Sequence, residues 1–332
     1  MSESILSIND LKVHFPIPQK GLFSGDIPLK AVDGVSFEIK AGETLGIVGE
    51  SGCGKSTLGR AILQLIPPTD GRVVWMGEDI TGLSPSKMRP LRQDLQIIFQ
   101  DPLASLNPRM TIGEIIGEPL RTFFPKMSAE ERREKVRDMM DRVGLLPRMI
   151  NRYPHEFSGG QCQRIGIARA MILRPKVIVC DEPVSALDVS IQAQIINLLQ
   201  DLQKEFGLSL LFISHDLSVV RHISHRIMVL YLGRVMEIAT RDSLYDSPRH
   251  PYTQALISAV PIPDPDKEMA KQHIVLEGDL PSPMAPPSGC VFRTRCPYAT
   301  ADCAQAVPQL DAVSGEHEVA CHHWQTITPP KL

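Results

Sequence analysis

The stretch Thr44-Leu-Gly-Ile-Val-Gly49-Glu50-Ser51-Gly52-Cys53-Gly54-Lys55-Ser56-Thr57 runs from a short apolar strand through a glycine-rich turn into a helix. Its residues 49–56 fit the pattern G-x-x-x-x-G-K-[ST], a loop that wraps phosphate oxygens. Gly49, Gly52 and Gly54 let the backbone approach an anion closely. The amides of such a loop and the positive end of the next helix then face that charge. Lys55 offers a compact cation to β- and γ-phosphates, and Ser56 offers a hydroxyl to Mg²⁺. Four fixed positions in eight residues can arise by chance as a surface turn. The strand Thr44–Val48 before them and the helical apolar spacing of Ser56–Leu65 after them argue for the phosphate loop.

Outward from this loop, Val177-Ile-Val-Cys-Asp181-Glu182 reads as a buried strand with two carboxylates at its C-terminal edge, where open α/β sheets bind ligands. Asp181 suits a Mg²⁺ shell, and Glu182 suits polarising a water in line with a γ-phosphate. Alone, the pair reads as an ordinary strand end; beside the phosphate loop the functional reading is stronger. Ser158-Gly159-Gly160-Gln161 precedes a helix expected over Gln161–Leu173 and makes a second phosphate-facing helix start. One nucleotide does not need two such caps from one domain. Alone, the tetrapeptide reads as an ordinary capped helix; beside the phosphate loop the simplest account is that the second cap meets a nucleotide held by another domain.

Leu6–Phe15 and Ala31–Ile39 alternate as strands, Leu208–Ile213 is a further apolar strand, and a long helix lies near Ser190–Phe206. Strands alternating with helices predict an α/β core with a largely parallel sheet. Between them, about residues 101–168 read as a helical insertion, with a capping pair of Ser128 and Glu131 opening a charged helix over Met127–Val143. These parts place a nucleotide-binding domain at 1–260. After Val260 the prolines 261, 263, 265, 281, 283, 286 and 287 mark a stiff irregular connector. A cysteine cluster follows, so 261–332 is expected to be a separate small module.

The chain has 332 residues, 43 % hydrophobic and 22 % charged, with a formal net charge of −3. That balance gives no basic excess of the kind a nucleic-acid partner calls for. Met1–Phe15 lacks the apolar stretch of a signal peptide, and the longest apolar run, Ile227–Leu232, is six residues. A membrane span needs roughly 20. The expectation is a cytoplasmic protein that reaches a membrane only through a partner.

Cys290, Cys296, Cys303 and Cys321 follow the spacing C-x5-C-x6-C-x17-C. In a reducing compartment such clustering points to metal more than to disulfides. Zinc and an iron–sulfur cluster both remain open, with His317, His322 and His323 as alternative ligands for zinc. Arg293 and Arg295 lie between the first two thiols and can offset their negative charge. Cys53, Cys162 and Cys180 read as small core residues.

In this order, the motifs resemble the ATP-binding subunits of ABC transporters. Gln100 after Ile97-Ile-Phe resembles the Q-loop glutamine, Ser185-Ala-Leu-Asp188 the D-loop, and His215 in Ile213-Ser-His-Asp the switch histidine. The resemblance implies a P-loop NTPase of ABC type: a RecA-like core, an antiparallel β subdomain and a helical subdomain, here with the small cysteine-rich C-terminal module. It implies ATP hydrolysis in a head-to-tail dimer. Gly49–Thr57, Glu50, Ser51 and Cys53 included, would bind one nucleotide, while Ser158, Gly159, Gly160, Gln161 and Asp188 of each subunit would bind the other's. Lys55, Gln100, Glu182 and His215 would act in catalysis, with Ser56, Gln100 and Asp181 on Mg²⁺. An aromatic residue near the N-terminus stacks on adenine in this family; Phe15 is the candidate and Phe23 its substitute.

Gln100-Asp-Pro-Leu-Ala-Ser-Leu-Asn-Pro, Arg152-Tyr-Pro-His-Glu-Phe157, Arg249-His-Pro-Tyr-Thr-Gln-Ala-Leu256, Leu280-Pro-Ser-Pro283 and Gly289-Cys-Val-Phe-Arg-Thr-Arg-Cys296 resemble bacterial peptide importers, closest to the F-type ATPases of oligopeptide permeases. This implies a homologous D-type ATPase partner, two transmembrane permease subunits, a periplasmic peptide-binding protein and a place on the cytoplasmic face of the inner membrane. It also implies a [4Fe–4S] cluster on the four C-terminal cysteines. Importers of dipeptides, nickel or opines are alternatives. A soluble ABC-type ATPase is a further one, but that class usually carries two nucleotide domains or a long coiled coil. An electron-transfer or metal-sensing protein ranks last.

Overall fold

A computed structural model describes residues 4–18, 25–261, 264–271 and 273–327. In chain order its elements are β1 (Ser4–Ile17), β2 (Ile27–Lys40), β3 (Thr44–Val48), α1 (Lys55–Ile62), β4 (Asp70–Trp75), β5 (Glu78–Asp79), α2 (Pro85–Leu91), β6 (Leu95–Ile98), α3 (Ile112–Phe123), α4 (Ala129–Arg142) and α5 (Gly159–Met171). There follow β7 (Val177–Asp181), α6 (Val189–Phe206), β8 (Ser209–Ile213), α7 (Leu217–Ile223), β9 (Arg226–Tyr231), β10 (Arg234–Thr240), α8 (Arg241–Asp246), α9 (Pro251–Ser258), α10 (Pro265–Ala270), α11 (Asp302–Gln305), β11 (Asp311–Ser314) and β12 (His317–Val319). The chain divides into two compact units, each discontinuous in sequence. One comprises Lys40–Glu43 and Leu83–Ile213; the other comprises Ser4–Ile39, Thr44–Gly82 and the residues from Ser214 on.

In the first unit β6, β7 and β8 run parallel in that order, with Leu95 opposite Val177 and Val177 opposite Ser209. Every residue of β7 and β8 is buried. That is why both read as continuous apolar runs: a parallel strand covered on both faces has no polar side to alternate with. The helical insertion is present as α3 and α4, with α3 packed on α4 and α5. Its starts are chemically marked. Thr111 and Glu114 form a complete capping box on α3, and the Ser128 hydroxyl accepts from Glu131 N at 3.1 Å on α4. The long helix α6 stops at Gly207, whose φ of 64° lies in the left-handed region.

The second unit holds an antiparallel sheet of order β2-β1-β4-β5. It also holds β3 parallel to β9, with β9, β10, β12 and β11 following antiparallel. Helix α1 lies against β1, α7 against β3, and α8 and α9 against β10.

The C-terminal segment is where the sequence reading needs correction. Residues 261–332 were expected to stand as a separate module, but the described part belongs to the second unit. Strand β12 pairs with β10, Glu237 opposite Val319, and Ala320 N donates to Met236 O at 2.8 Å. Phe292 is fully buried, its ring 5.3 Å from those of Tyr231 and Tyr252 and 5.5 Å from that of His250. Beneath the hairpin, the buried Glu237 carboxylate accepts from His317 Nε2 at 2.7 Å, Arg249 N at 2.7 Å and His250 N at 2.9 Å. A short proline-rich segment has too little apolar surface for a core of its own, and it obtains one by docking on β9, β10 and α9. Among the described residues, no helix is long and apolar enough to cross a membrane.

Candidate functional site

The phosphate loop lies in the second unit. Strand β3 is wholly buried and delivers Gly49, and α1 begins at Lys55, one residue before the expected start. Two glycines are sterically required. A Cβ on Gly49 would sit 2.1 Å from Leu230 O, and one on Gly54, where φ is 103°, would sit 1.9 Å from Ala31 O. The first turn of α1 carries no acidic residue, so its amides and positive pole are available to an anion. Lys55 is 4 % exposed; its ammonium donates to Gly49 O at 2.8 Å and Glu50 O at 3.0 Å. Cys53 is buried within the loop, and burial pushes its thiol up despite the nearby Lys55 charge, which fits a packing role. The Glu50 carboxylate is gripped by Arg295 Nη1, at 3.0 and 2.8 Å, and Glu50 N donates to the Tyr252 hydroxyl at 2.9 Å. Nothing in the sequence pattern signalled these two partners.

Also in this unit, His215 is exposed in the turn before α7. That turn is fixed by Asp216, whose carboxylate accepts from Ser218 N at 2.8 Å and Val219 N at 3.5 Å. Phe15 lies half-buried on β1, next to His14, whose Nε2 meets Asp33 Oδ1 at 3.0 Å. Phe23 falls outside the described residues.

The first unit carries the carboxylates. Asp181 ends β7 and is 1 % exposed. Glu182 follows with φ at 47°, a left-handed conformation uncommon for a residue with a side chain. Its amide donates to Ile213 O at 3.1 Å, and the Ser185 hydroxyl donates to its carbonyl at 3.1 Å. The Gln100 side-chain amide donates to the Glu182 carboxylate at 3.0 Å. Gln100 and Glu182, 82 residues apart in sequence, are thus brought together.

At the other candidate cap, Ser158 is the N-cap of α5. Gly159 and Gly160 already belong to its first turn rather than preceding it. The Ser158 hydroxyl accepts from Gln161 N at 3.4 Å and the Gln161 side chain accepts from Ser158 N at 3.0 Å. Ser158 and Gly159 are exposed, and no acidic residue sits in this first turn. A Cβ on Gly160 would lie 2.6 Å from Ile191 Cγ2 of α6, so the bare glycine lets this helix start pack on α6. Asp188 caps α6 by its backbone and is exposed, as is Val189 beside it.

All four C-terminal cysteines are free: Cys290 and Cys303 buried, Cys296 and Cys321 half-buried. Cys290 N donates to Cys303 O at 2.8 Å. Burial pushes the Cys290 thiol up, pushes Cys296 to about 11 and Cys321 to about 12, and their mutual charges add to each rise. The four therefore lie within electrostatic reach of one another. The two arginines between the first thiols have other partners: Arg295 is engaged by Glu50, and Arg293 donates to Ser288 O at 2.9 Å. Arg234 instead draws Cys290 back slightly. Among the described residues, no group of three or more His, Cys, Asp or Glu is arranged to hold a metal ion. The histidines also have other partners: His317 goes to Glu237, His322 to Ala306 O, and His323 to Thr300 Oγ1.

Residues 32–185 match the family model of the ABC transporter, and residues 236–303 match that of the oligopeptide/dipeptide transporter C-terminal region. The chain is similar to the oligopeptide transport ATP-binding protein OppF of Escherichia coli K12, 64 % identical over 319 residues that cover 96 % of this chain and 95 % of that protein. It is 60 % identical over 321 residues to OppF of Haemophilus influenzae, covering 96 % and 97 %. With the di/tripeptide transport ATP-binding protein DppF of Pseudomonas aeruginosa it shares 52 % over 321 residues, covering 97 % and 98 %. Among solved structures, it resembles an ATP-binding cassette captured as a post-hydrolysis dimer with ADP and Pi, at TM-score 0.63 and 31 % identity over 71 % of this chain and 98 % of that one. CbiO1 of Clostridium perfringens aligns at TM-score 0.63 and 27 % identity, over 74 % and 91 %.

Proposed function

This chain belongs to the ABC transporter family as an ATP-binding subunit of an oligopeptide/dipeptide importer, and from that premise we propose how its residues divide the work. It is an ATPase of the ABC type. The observation that carries the finer reading is the exposed, acid-free start of α5, a phosphate-facing cap beyond what the loop at 49–57 requires. A similar cassette forms a dimer with ADP and Pi. We read a head-to-tail pairing here, with a homologous D-type ATPase as partner. Ser158, Gly159, Gly160, Gln161 and Asp188 then address the nucleotide of the opposite subunit.

On its own nucleotide, Gly49–Thr57 cradle the phosphates and Lys55 leaves its carbonyl partners for the β- and γ-oxygens. Phe15 supplies the adenine stack. Ser56, Gln100 and Asp181 suit Mg²⁺, which when bound would neutralise charge on the transferring phosphoryl group. Glu182 orients and polarises the attacking water, and His215 contacts the γ-phosphate. Positioning and electrostatic stabilisation supply most of the catalysis in such sites. Pairing on ATP and release after hydrolysis would drive two transmembrane permease subunits at the cytoplasmic face of the inner membrane, fed by a periplasmic binding protein. This subunit is not expected to touch the cargo, and nickel and opine importers remain the second reading.

For Cys290, Cys296, Cys303 and Cys321 the reading is a structural [4Fe–4S] cluster, supported by four free thiols within electrostatic reach. The experiment for the main reading is reconstitution with the two permease subunits and the D-type ATPase in liposomes. Peptide uptake that requires ATP and is lost in Lys55→Ala supports it; uptake that survives Lys55→Ala overturns it.

A further inference from the structure

The motif Arg249-His-Pro-Tyr252 and the segment Gly289–Cys296 lie outside every nucleotide motif, yet both end on one residue of the phosphate loop. Glu50 is held at two points. Its backbone amide donates to the Tyr252 hydroxyl at 2.9 Å, and its carboxylate accepts from Arg295 at 2.8 and 3.0 Å. Neither partner is loose. Tyr252 is fully buried in the first turn of α9, where His250 Nδ1 accepts from its amide at 3.0 Å and Glu237 accepts from the His250 amide. Burial also keeps its phenol protonated, its pKa driven far up. The Arg295 side chain is 10 % exposed, lies beside the Tyr231 hydroxyl, and its amide donates to Phe292 O at 3.0 Å. Phe292 in turn fills the space among Tyr231, Tyr252 and His250. Arg295 immediately precedes Cys296 and follows Cys290 by five residues.

A phosphate loop works by presenting its amides in one fixed arrangement. Fixing Glu50 at both backbone and side chain restricts the loop at its second residue, just before the turn that meets the phosphates. Arg295 belongs to the segment carrying the cysteines, and Tyr252 packs on that segment through the ring of Phe292. We propose that Arg295 and Tyr252 are positioning residues of the nucleotide site, and that through them the order of the 290–303 segment is energetically coupled to ATP binding. Such coupling is reciprocal: what tightens the loop for nucleotide must let nucleotide tighten the cysteine segment by the same factor. The inference rests on the reading of Gly49–Thr57 as the phosphate site, and it holds whichever group the thiols carry.

The test uses the full chain, with two readouts that do not depend on turnover. A fluorescent ATP analogue reports affinity, and amide hydrogen exchange reports the order of residues 286–304. Saturating Mg-ATP is expected to slow exchange of that segment in the unaltered protein. Arg295→Gln is expected to weaken binding about fivefold, the scale of one partly buried charge-assisted contact, and to abolish the nucleotide-dependent slowing. Arg295→Lys should recover part of both effects, because a point charge replaces a planar one. Tyr252→Phe keeps the ring packing and removes only the acceptor for Glu50 N, so it tests the brace even if Arg295 variants fold poorly. It should weaken binding by a similar factor while lowering the melting temperature by only a few degrees, the scale of one lost hydrogen bond. In the assembled transporter these variants should raise KM for ATP and leave kcat in place. Unchanged affinity in both Arg295→Gln and Tyr252→Phe, with exchange indifferent to nucleotide, overturns the brace while the ATP reading stands. No saturable binding by the unaltered chain overturns both.

Discussion

The Gln100 side-chain amide donates to the Glu182 carboxylate at 3.0 Å across a sequence separation of 82 residues. Glu182 is thereby tethered by its side chain, while its backbone is held in a left-handed conformation by Ile213 O and the Ser185 hydroxyl. A glutamine at 182 can still accept from Gln100, so Glu182→Gln removes charge and keeps shape. The expected outcome is unchanged Mg-ATP binding with hydrolysis slowed roughly 10²–10⁴-fold. Single-turnover hydrolysis in the assembled transporter measures it, and near-normal turnover would remove Glu182 from the role of water activator.

An isolated subunit is expected to hydrolyse ATP poorly. Its Ser158–Gln161 cap, exposed at Ser158 and Gly159, has no nucleotide of a partner to meet, and its own nucleotide lacks a partner's cap. Turnover should return on adding the cognate ATPase and the membrane subunits. Full activity from a chain shown to be monomeric by light scattering would contradict the paired arrangement.

The cysteine group predicts iron and acid-labile sulfide in anaerobically purified protein, with visible absorption. Zinc in equal proportion to protein and no sulfide would replace the cluster with a zinc site. Where iron is found, Cys303→Ser should lose it and speed proteolysis after about residue 260, because a thiolate-held group ties together four distant points of a segment with little core of its own. Through Arg295, ATP binding should weaken several-fold rather than vanish.

His250 gives a pH dependence with a definite sign. Burial holds its imidazole neutral, its pKa lowered to about 3, and the ring accepts from Tyr252 N. The unfolded chain takes up that proton near the ordinary histidine pKa, so this contribution to stability is complete above it. It is lost as pH falls towards the folded value, at about 1.4 kcal/mol per pH unit. In His250→Asn the side chain can still cap α9 but no longer titrates there. Its melting temperature should fall less steeply with acidification from pH 7 to pH 5, by roughly that linkage. Parallel pH profiles would discard the assignment.

The parts of the fold that were legible are those that write themselves locally. Thr44–Val48 matched its expected strand to the residue, and β7 and β8 announced themselves as apolar runs because both faces are covered. Ser158 and Gln161 marked the start of α5, although the two glycines between them turned out to be helical. The docking of the C-terminal segment was hidden. Strand β12 is three residues long, too short for any periodicity, and its partner β10 lies about 80 residues away. The link of Arg295 to Glu50 spans 245 residues and involves two ordinary charged side chains with no spacing signal. The same charge pattern that suggested compensation of thiolates fits a contact with the phosphate loop equally well in one dimension.

The second unit is built from the two ends of the chain, with residues 83–213 lying between its parts in sequence. This sets an order of events during synthesis. The first unit has all its residues once Ile213 has emerged, whereas Glu50 must wait for Arg295, 245 residues later. At ribosomal speeds that interval is on the order of tens of seconds. Throughout it β10 lacks its neighbour β12, and the pocket among Tyr231, Tyr252 and His250 lacks the ring of Phe292. A messenger truncated after residue 260 would therefore release a chain with every nucleotide motif present but with an open sheet edge and an unfilled aromatic pocket, a substrate for chaperones and proteases rather than a smaller working ATPase.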